Sequence, residues 1–367
     1  MDRDRDDLVQ RLLDHCALMC VTGDEGPIAD AVEATYRGQG HPVARIGHSV
    51  VVGEPSGDRS LVVLVGHLDV VAPTDDDRDP RVESRPDGDV VVARGTSDMK
   101  AGNVVAMKLF EEAVDSPYDL ALVLYAGEEG SADGNELRSV LAGVPWLGDA
   151  ALAVVLEPTD GQVQLGCLGG LHATLTVHGR QAHSARPWHG ENALTKAGAF
   201  LAAFHEREPL VIEVDGIEYR DVWSFTQAST TTGKNVIPGR LALNLNFRFA
   251  PSRGVDEATN ELQRVVDRVA RQTGADPIDV EVVDVSPPAP PRASDPMVAA
   301  FVRTAGAEVA AKQAWTDVAR FAEIGVPALN YGPGRTDQAH QRGEFVEVDA
   351  LVDAFERLGR FLSTAAG

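Results

Sequence analysis

Histidine and carboxylate side chains can hold a divalent cation, and a carboxylate left over beside such a cation can take a proton from water. Five short segments of this chain carry residues of that kind: GHLDV at 66–70, ARGTSDMK at 93–100, YAGEEG at 125–130, LEPTD at 156–160 and QAH at 338–340. His67 and Asp69 stand two apart. On an extended segment both side chains point the same way, and Asp69 can accept a hydrogen bond from the ring nitrogen that faces away from a metal. HxD alone reads better as a histidine that caps a strand. Asp98, Glu128, Glu129, Glu157 and His340 change that balance, because acids and histidines gathered at one sheet edge would repel and desolvate badly without cations. A mixed oxygen and imidazole set suits zinc, with cobalt or manganese as replacements. Two ions with two private ligands each and one shared carboxylate need five ligands, and His67, Asp98, Glu129, Glu157 and His340 supply five. One carboxylate of the Glu128–Glu129 pair is then left over for general-base work.

The elements that must position these residues alternate strand and helix from 61 to 157. LVVLVG, DVVVARG, LALVLYAG and ALAVVLEP read as strands, with a helical pattern beginning at Lys100. This predicts an α/β domain with a mixed, largely parallel sheet and flanking helices. In such sheets ligands bind at the carboxyl ends of the strands, where four of the five segments fall. Beyond CLGG at 167–170 the order becomes β-α-β-β-α-β, the plan of a ferredoxin-like α+β domain. In LALNLNFRF, Leu241, Leu243, Leu245, Phe247 and Phe249 alternate with more polar partners, so one sheet face is buried and the other meets solvent. SPPAPPR at 286–292 has four prolines in seven residues and reads as a connector. The expected organisation is one metal-binding domain built from residues 1–168 and 286–367, interrupted by an inserted smaller domain at 169–285.

The chain has 367 residues, 44% of them hydrophobic, enough for two domains with separate cores. Its formal net charge of -23 repels polyanions, which excludes nucleic acid and anionic membrane surfaces as expected partners. The charged start MDRDRDD leads into LVQRLLDHCALMCV, whose apolar residues recur at helical spacing, so neither a signal peptide nor a membrane span is expected. Cys16, Cys20 and Cys167 do not make a disulfide framework, and a reducing cytoplasm fits them. Cys16 and Cys20 are expected at i and i+4 of the first helix, as packing residues rather than a ligand face.

Taken in order, GHLDV, ARGTSDMK, AGEEG, LEP and the late histidine resemble the M20 family of co-catalytic zinc peptidases and deacylases, over nearly the whole chain. The resemblance implies a metallohydrolase of linear amides with two zinc ions per subunit. Asp98 would bridge the ions, with His67 and Glu157 on one and Glu129 and His340 on the other; Glu128 would be the base and Asp69 the partner of His67. It also implies that the inserted domain is a lid that mediates a homodimer. There His183, in GRQAHSARPWHGENA, would reach across to help hold the oxyanion. Asn235 of GKNVIPG and Arg248 of NFRF match positions that bind the carboxylate and acyl oxygens of a small N-acyl amino acid. The bond after the position of Asp98 is often cis in this family, a feature no sequence displays.

Within the family, AWTDVARFAEIGVPALNYGPG, HSARPW, NVIPG and FRFAP resemble actinobacterial-type succinyl-diaminopimelate desuccinylases. That implies N-succinyl-LL-diaminopimelate as substrate, with the fork of Arg320 on one of its carboxylates. The plainer readings are a solvated arginine on a regular strand for Arg248 and a helix-surface arginine paired with a neighbouring acid for Arg320. The neutral GCLGG at 166–170 departs from the basic residues that proteobacterial desuccinylases carry there. Acetylornithine deacetylases, aminoacylases, carboxypeptidases and dipeptidases share the metal set and stay open, as does a metal-binding module without catalysis. A spare Glu128 beside Glu129 speaks against the last, since storage calls for no base.

Overall fold

The computed structural model describes residues 2–113, 115–131 and 133–365. The chain divides into two compact units, Met1–Gly166 with Arg292–Ala310 and Thr316–Gly367, and Cys167–Pro291 with Ala311–Trp315.

In the first unit, apolar runs such as Leu61–His67, buried at every position, cannot face water on either side and so form the middle of a sheet. That sheet has eight strands in the order Val43–Ile46, Ser49–Val52, Asp119–Tyr125, Leu61–His67, Leu152–Val155, Ala328–Asn330, Val163–Leu165 and Val309–Ala311. The three central pairings, from Asp119–Tyr125 through Ala328–Asn330, are parallel. Antiparallel pairings flank them on both sides. The fold is therefore α/β with a mixed sheet whose middle is parallel.

Two local expectations are corrected. The strand Gly88–Val92, from the segment DVVVARG, is not in this sheet. The two-residue turn Pro86–Asp87 folds it back on Arg81–Arg85, and Phe345–Glu347 pairs with its other edge, making a separate three-stranded antiparallel sheet. The first helix ends at Ala17, so Cys20 lies on an extended segment that bridges Val21 to Val70, not one helical turn from Cys16. All three cysteines are buried, and burial pushes the Cys16 thiol up to about 12. Among the described residues, no helix is long and apolar enough to cross a membrane.

The second unit carries a five-stranded antiparallel sheet in the order Leu210–Val214, Ile217–Ser229, Arg240–Phe249, Gly169–His178 and Asp279–Ser286. Without the edge strand Leu210–Val214 this is the split βαβ order of a ferredoxin-like domain. The alternation read in 241–249 is reproduced: Leu241, Leu243, Leu245, Phe247 and Phe249 enter a core with Phe200, Phe204, Leu262 and Val266 from the covering helices. On the other face the Asn244 and Asn246 amides lie 3.2 and 3.0 Å from the two ring nitrogens of His172. The prolines of the run 286–292 belong to this unit and not, as expected, to the first one. Ala289 bridges Cys167, and the Trp315 Nε1–H donates to the Pro287 carbonyl, which also draws residues 311–315 here.

Candidate metal centre

The strand Leu61–His67 delivers His67 at its carboxyl end. Gly66 allows this, since a Cβ there would lie 1.9 Å from Asn103 Oδ1, while the Asn103 amide donates to the His67 carbonyl at 2.6 Å. The neighbouring strand ends at Tyr125, and the chain turns at Gly127, whose φ of 79° and approach to the Gly134 carbonyl exclude a side chain. Glu128 and Glu129 follow at once. Their backbone N–H groups donate to the two carboxylate oxygens of Asp69 at 3.1 and 3.0 Å, and the Thr22 hydroxyl adds a third donor at 2.9 Å.

That allocation differs from the expected one. The His67 Nδ1–H is 2.9 Å from the Asp69 backbone carbonyl, with the carboxylate further off at 3.7 Å. Both atoms of contact belong to Asp69, but its charged end is taken up by three better-placed donors and holds the Glu128–Glu129 turn rather than the imidazole.

Asp98 sits in the loop that follows Arg94, and the Asp98–Met99 peptide bond is cis. Its Oδ1 is 3.2 Å from His67 Nε2. His340, in the loop after Ala328–Asn330, places Nε2 at 2.7 and 2.9 Å from the two Glu129 oxygens and 3.6 Å from Asp98. His67, Asp98 and Glu129 each offer one ligand atom, and the three atoms lie within 4.8 Å of one another. Carboxylate oxygens and an imidazole nitrogen at that spacing are the donor set of a divalent cation site, so the residues fit a metal.

The electrostatics point the same way. Desolvation first, and then Glu157, Asp317 and Asp98, push the half-buried Glu128 carboxyl well above the usual carboxylate range, against the pull of His67. Burial alone would lower His67; the Asp98 hydrogen bond, with Glu128 and Asp69 behind it, holds its imidazole well above the ordinary histidine value. The hydrogen bond to Glu129 raises His340 as well. Acids in excess, drawing positive charge onto two imidazoles, form a field that a divalent cation neutralises. Glu157 is buried in the loop after Leu152–Val155, within the field of Glu128 and Tyr125.

Two buried acids escaped sequence reasoning. Asp317 precedes the helix Val318–Glu323 but does not cap it. Its carboxylate accepts from the Tyr125 hydroxyl at 2.6 Å and the Asn135 amide at 3.0 Å, within the field of Glu128. An acid just before a helix start is an ordinary sequence feature, so nothing local marks Asp317 in the segment AWTDVARF. Glu344, four residues after His340, accepts backbone N–H bonds from Gly95, Ser97 and Asp98. Burial pushes its carboxyl up to about 7.

Arg320 is not on the helix surface. It is buried, 3.7 Å from Asp317 and 3.5 Å from Glu323. His183, Asn235 and Arg248 belong to the second unit. There His183 pairs with Val236, and the Ser184 N–H donates to the Asn235 carbonyl. His183 Nδ1 accepts from the Ala185 N–H at 3.1 Å, which leaves the ring proton on Nε2. Arg248 is half-buried on its strand opposite Gly170, whose missing side chain leaves room for the guanidinium, and burial lowers its pKa.

Residues 63–364 match the model of peptidase family M20/M25/M40. The chain is 38% identical over 341 residues to a Mycobacterium tuberculosis protein provisionally named succinyl-diaminopimelate desuccinylase, covering 92% of this chain and 93% of the relative. It is 35% identical over 364 residues to the succinyl-diaminopimelate desuccinylase of Corynebacterium glutamicum, covering 97% and 95%. Among solved structures, the aminopeptidase PepT of Bacillus cereus superposes with a TM-score of 0.75 at 17% identity over 98% of both chains, a likeness of fold.

Proposed function

We propose that this chain, which belongs to peptidase family M20/M25/M40, hydrolyses N-succinyl-LL-diaminopimelate to succinate and LL-diaminopimelate. The substrate rests on the two relatives that carry this name over more than nine tenths of the chain. The reaction rests on one observation, the convergence of His67, Asp98, Glu129 and His340 beside a half-buried, spare Glu128.

His67, Asp98, Glu129, Glu157 and His340 would hold two zinc ions, with Asp98 shared between them. Bound zinc polarises an amide carbonyl and acidifies water. Glu128 accepts the proton of the attacking water on a carboxylate oxygen and returns it to the leaving amine nitrogen, a double task suited to a carboxyl held above its usual range. Asp69 keeps the Glu128 and Glu129 backbones fixed through both of its oxygens. His183 presents an Nε2–H, a donor for the carbonyl oxygen as charge builds there, and acts from the partner subunit of a homodimer. Asn235, Arg248 and Arg320 bind the oxygens and carboxylates of the succinyl amino acid. A cytoplasmic setting belongs to the same proposal and accords with three buried cysteines that make no disulfide framework.

The test is a turnover panel with the zinc-loaded protein: succinyl-diaminopimelate, acetylornithine, simple N-acyl amino acids and dipeptides. The expected outcome is the highest kcat/KM for succinyl-diaminopimelate with two zinc ions per chain by elemental analysis. A higher value for another amide would replace the substrate but keep the chemistry, whereas zinc uptake with no hydrolysis of any of them would leave only a metal-binding module.

A further inference from the structure

Asp98 has no regular strand to present it in the centre described above. It hangs on an irregular loop, whereas His67 ends a seven-residue strand of the central sheet. Something must hold that loop. Glu344 Oε1 accepts the N–H groups of Ser97 at 2.8 Å and Asp98 at 3.0 Å, and Oε2 accepts that of Gly95 at 3.0 Å and the Arg94 Nη1 at 2.9 Å. Arg94 is in turn held by Asp77, Nη2 to Oδ2 at 3.1 Å. Asp77 closes the circuit, since it accepts the N–H of Gly343, the residue just before Glu344, at 2.9 Å and that of Thr74 at 2.6 Å. The Ser97 hydroxyl adds a further link to the Phe345 carbonyl at 2.8 Å. Asp77, Arg94 and Glu344 are all buried to within about one per cent of complete.

Two carboxylates around one guanidinium carry a net negative charge that burial would ordinarily forbid. Five backbone N–H donors, from Thr74, Gly95, Ser97, Asp98 and Gly343, offset it here. Three stretches far apart in sequence, 74–77, 94–98 and 343–345, are thereby tied into one block. That block ends at Asp98 on one side and, four residues before Glu344, leads to His340 on the other.

We infer that the Asp77–Arg94–Glu344 triad is a positioning device for the cation site: Glu344 sets the backbone that presents Asp98, and so sets metal affinity without touching metal or substrate. The inference rests on the metal reading of His67, Asp98, Glu129 and His340. Glu344→Gln keeps the shape but turns an N–H-accepting edge into an amide that must present its own donors to Ser97, Asp98 or Gly95.

The test measures zinc affinity by competition with a chromophoric chelator, alongside thermal unfolding, for the wild type, Glu344→Gln and Asp119→Asn. Asp119 is the control because it is also a buried carboxylate that gathers backbone donors, from Ser56 and Gly57, at the opposite end of the neighbouring strand. Both variants should unfold at lower temperature. Glu344→Gln should bind zinc about ten- to a hundredfold more weakly, the range for partners that orient ligands, while Asp119→Asn should bind as the wild type does. If Glu344→Gln does not fold, Ser97→Ala, which cuts the hydroxyl's links to the Phe345 carbonyl and the Arg335 N–H but leaves Glu344 intact, should show a smaller loss in the same direction. Unchanged affinity in the folded variant, or an equal loss in Asp119→Asn, overturns the positioning role. A wild type that takes up no zinc overturns the metal reading itself, a separate failure.

Discussion

The strand Asp119–Tyr125 begins at a buried carboxylate, Asp119, and leads three residues past its end to a half-buried one, Glu128, and the two ends treat them in opposite ways. At the amino end, Asp119 accepts the N–H of Ser56 at 2.7 Å and of Gly57 at 3.3 Å, the Ser56 hydroxyl, and the Arg59 guanidinium at 3.0 Å. Burial pushes Asp119 up, but these partners outweigh it and its pKa falls below the ordinary aspartate value. At the carboxyl end, Glu128 stands among Glu157, Asp317 and Asp98, and its pKa rises. One strand thus separates a saturated carboxylate that clamps a loop from a carboxylate surrounded by like charge. The difference teaches that burial of an acid is not by itself a sign of function. What marks the site is burial with the compensation left to histidines and to an ion.

The contrast breaks most readily at Glu128. Glu128→Gln should lower kcat by about 10²- to 10⁴-fold, the usual worth of a positioned general base, while zinc content stays at the wild-type level. A fully active Gln variant would erase the distinction between the two ends. Asp119→Asn should do the reverse, costing about 1–3 kcal/mol of unfolding free energy for the mismatched donors and leaving kcat alone. Urea unfolding together with turnover checks both halves.

The finest test uses pH. Burial drives His15 down to about 3, so the unfolded chain takes up a proton below pH 6.5 that the folded one refuses. Stability should therefore fall from about pH 6.5 downward, by up to about 1.4 kcal/mol per pH unit from this group. Asp119, with its folded pKa below the usual aspartate value, loses its contribution only under more acid conditions. Between pH 6.5 and 4.5 the variant His15→Leu should flatten the slope of unfolding free energy, and Asp119→Asn should not. Equal slopes for His15→Leu and the wild type would mean that His15 is not held neutral.

Legibility followed the range of the interactions. The apolar run 61–66 and the two-residue alternation of 241–249 are local patterns, and both became the elements they imply. DVVVARG was read as a strand but placed in the wrong sheet, because nothing in seven residues says which edge a strand will find. The acids and histidines that converge are recognisable by type, yet the spacing of His67 and Asp69 suggests a carboxylate–imidazole bond that the structure replaces with backbone donors. Those donors, the N–H groups of Glu128 and Glu129, lie 59 and 60 residues away.

By itself the sequence determined the donor types, their order along the chain, and the strand grammar that puts most of them at carboxyl ends, since these depend on side-chain chemistry and on periods of a few residues. Only the tertiary structure decided that Asp317 meets the Tyr125 hydroxyl across 192 residues, and that Glu344 gathers N–H groups of the Asp98 loop from 246 or more residues away. Which buried acid finds donors and which is left among like charges is a matter of packing between distant segments, and no local pattern carries that information.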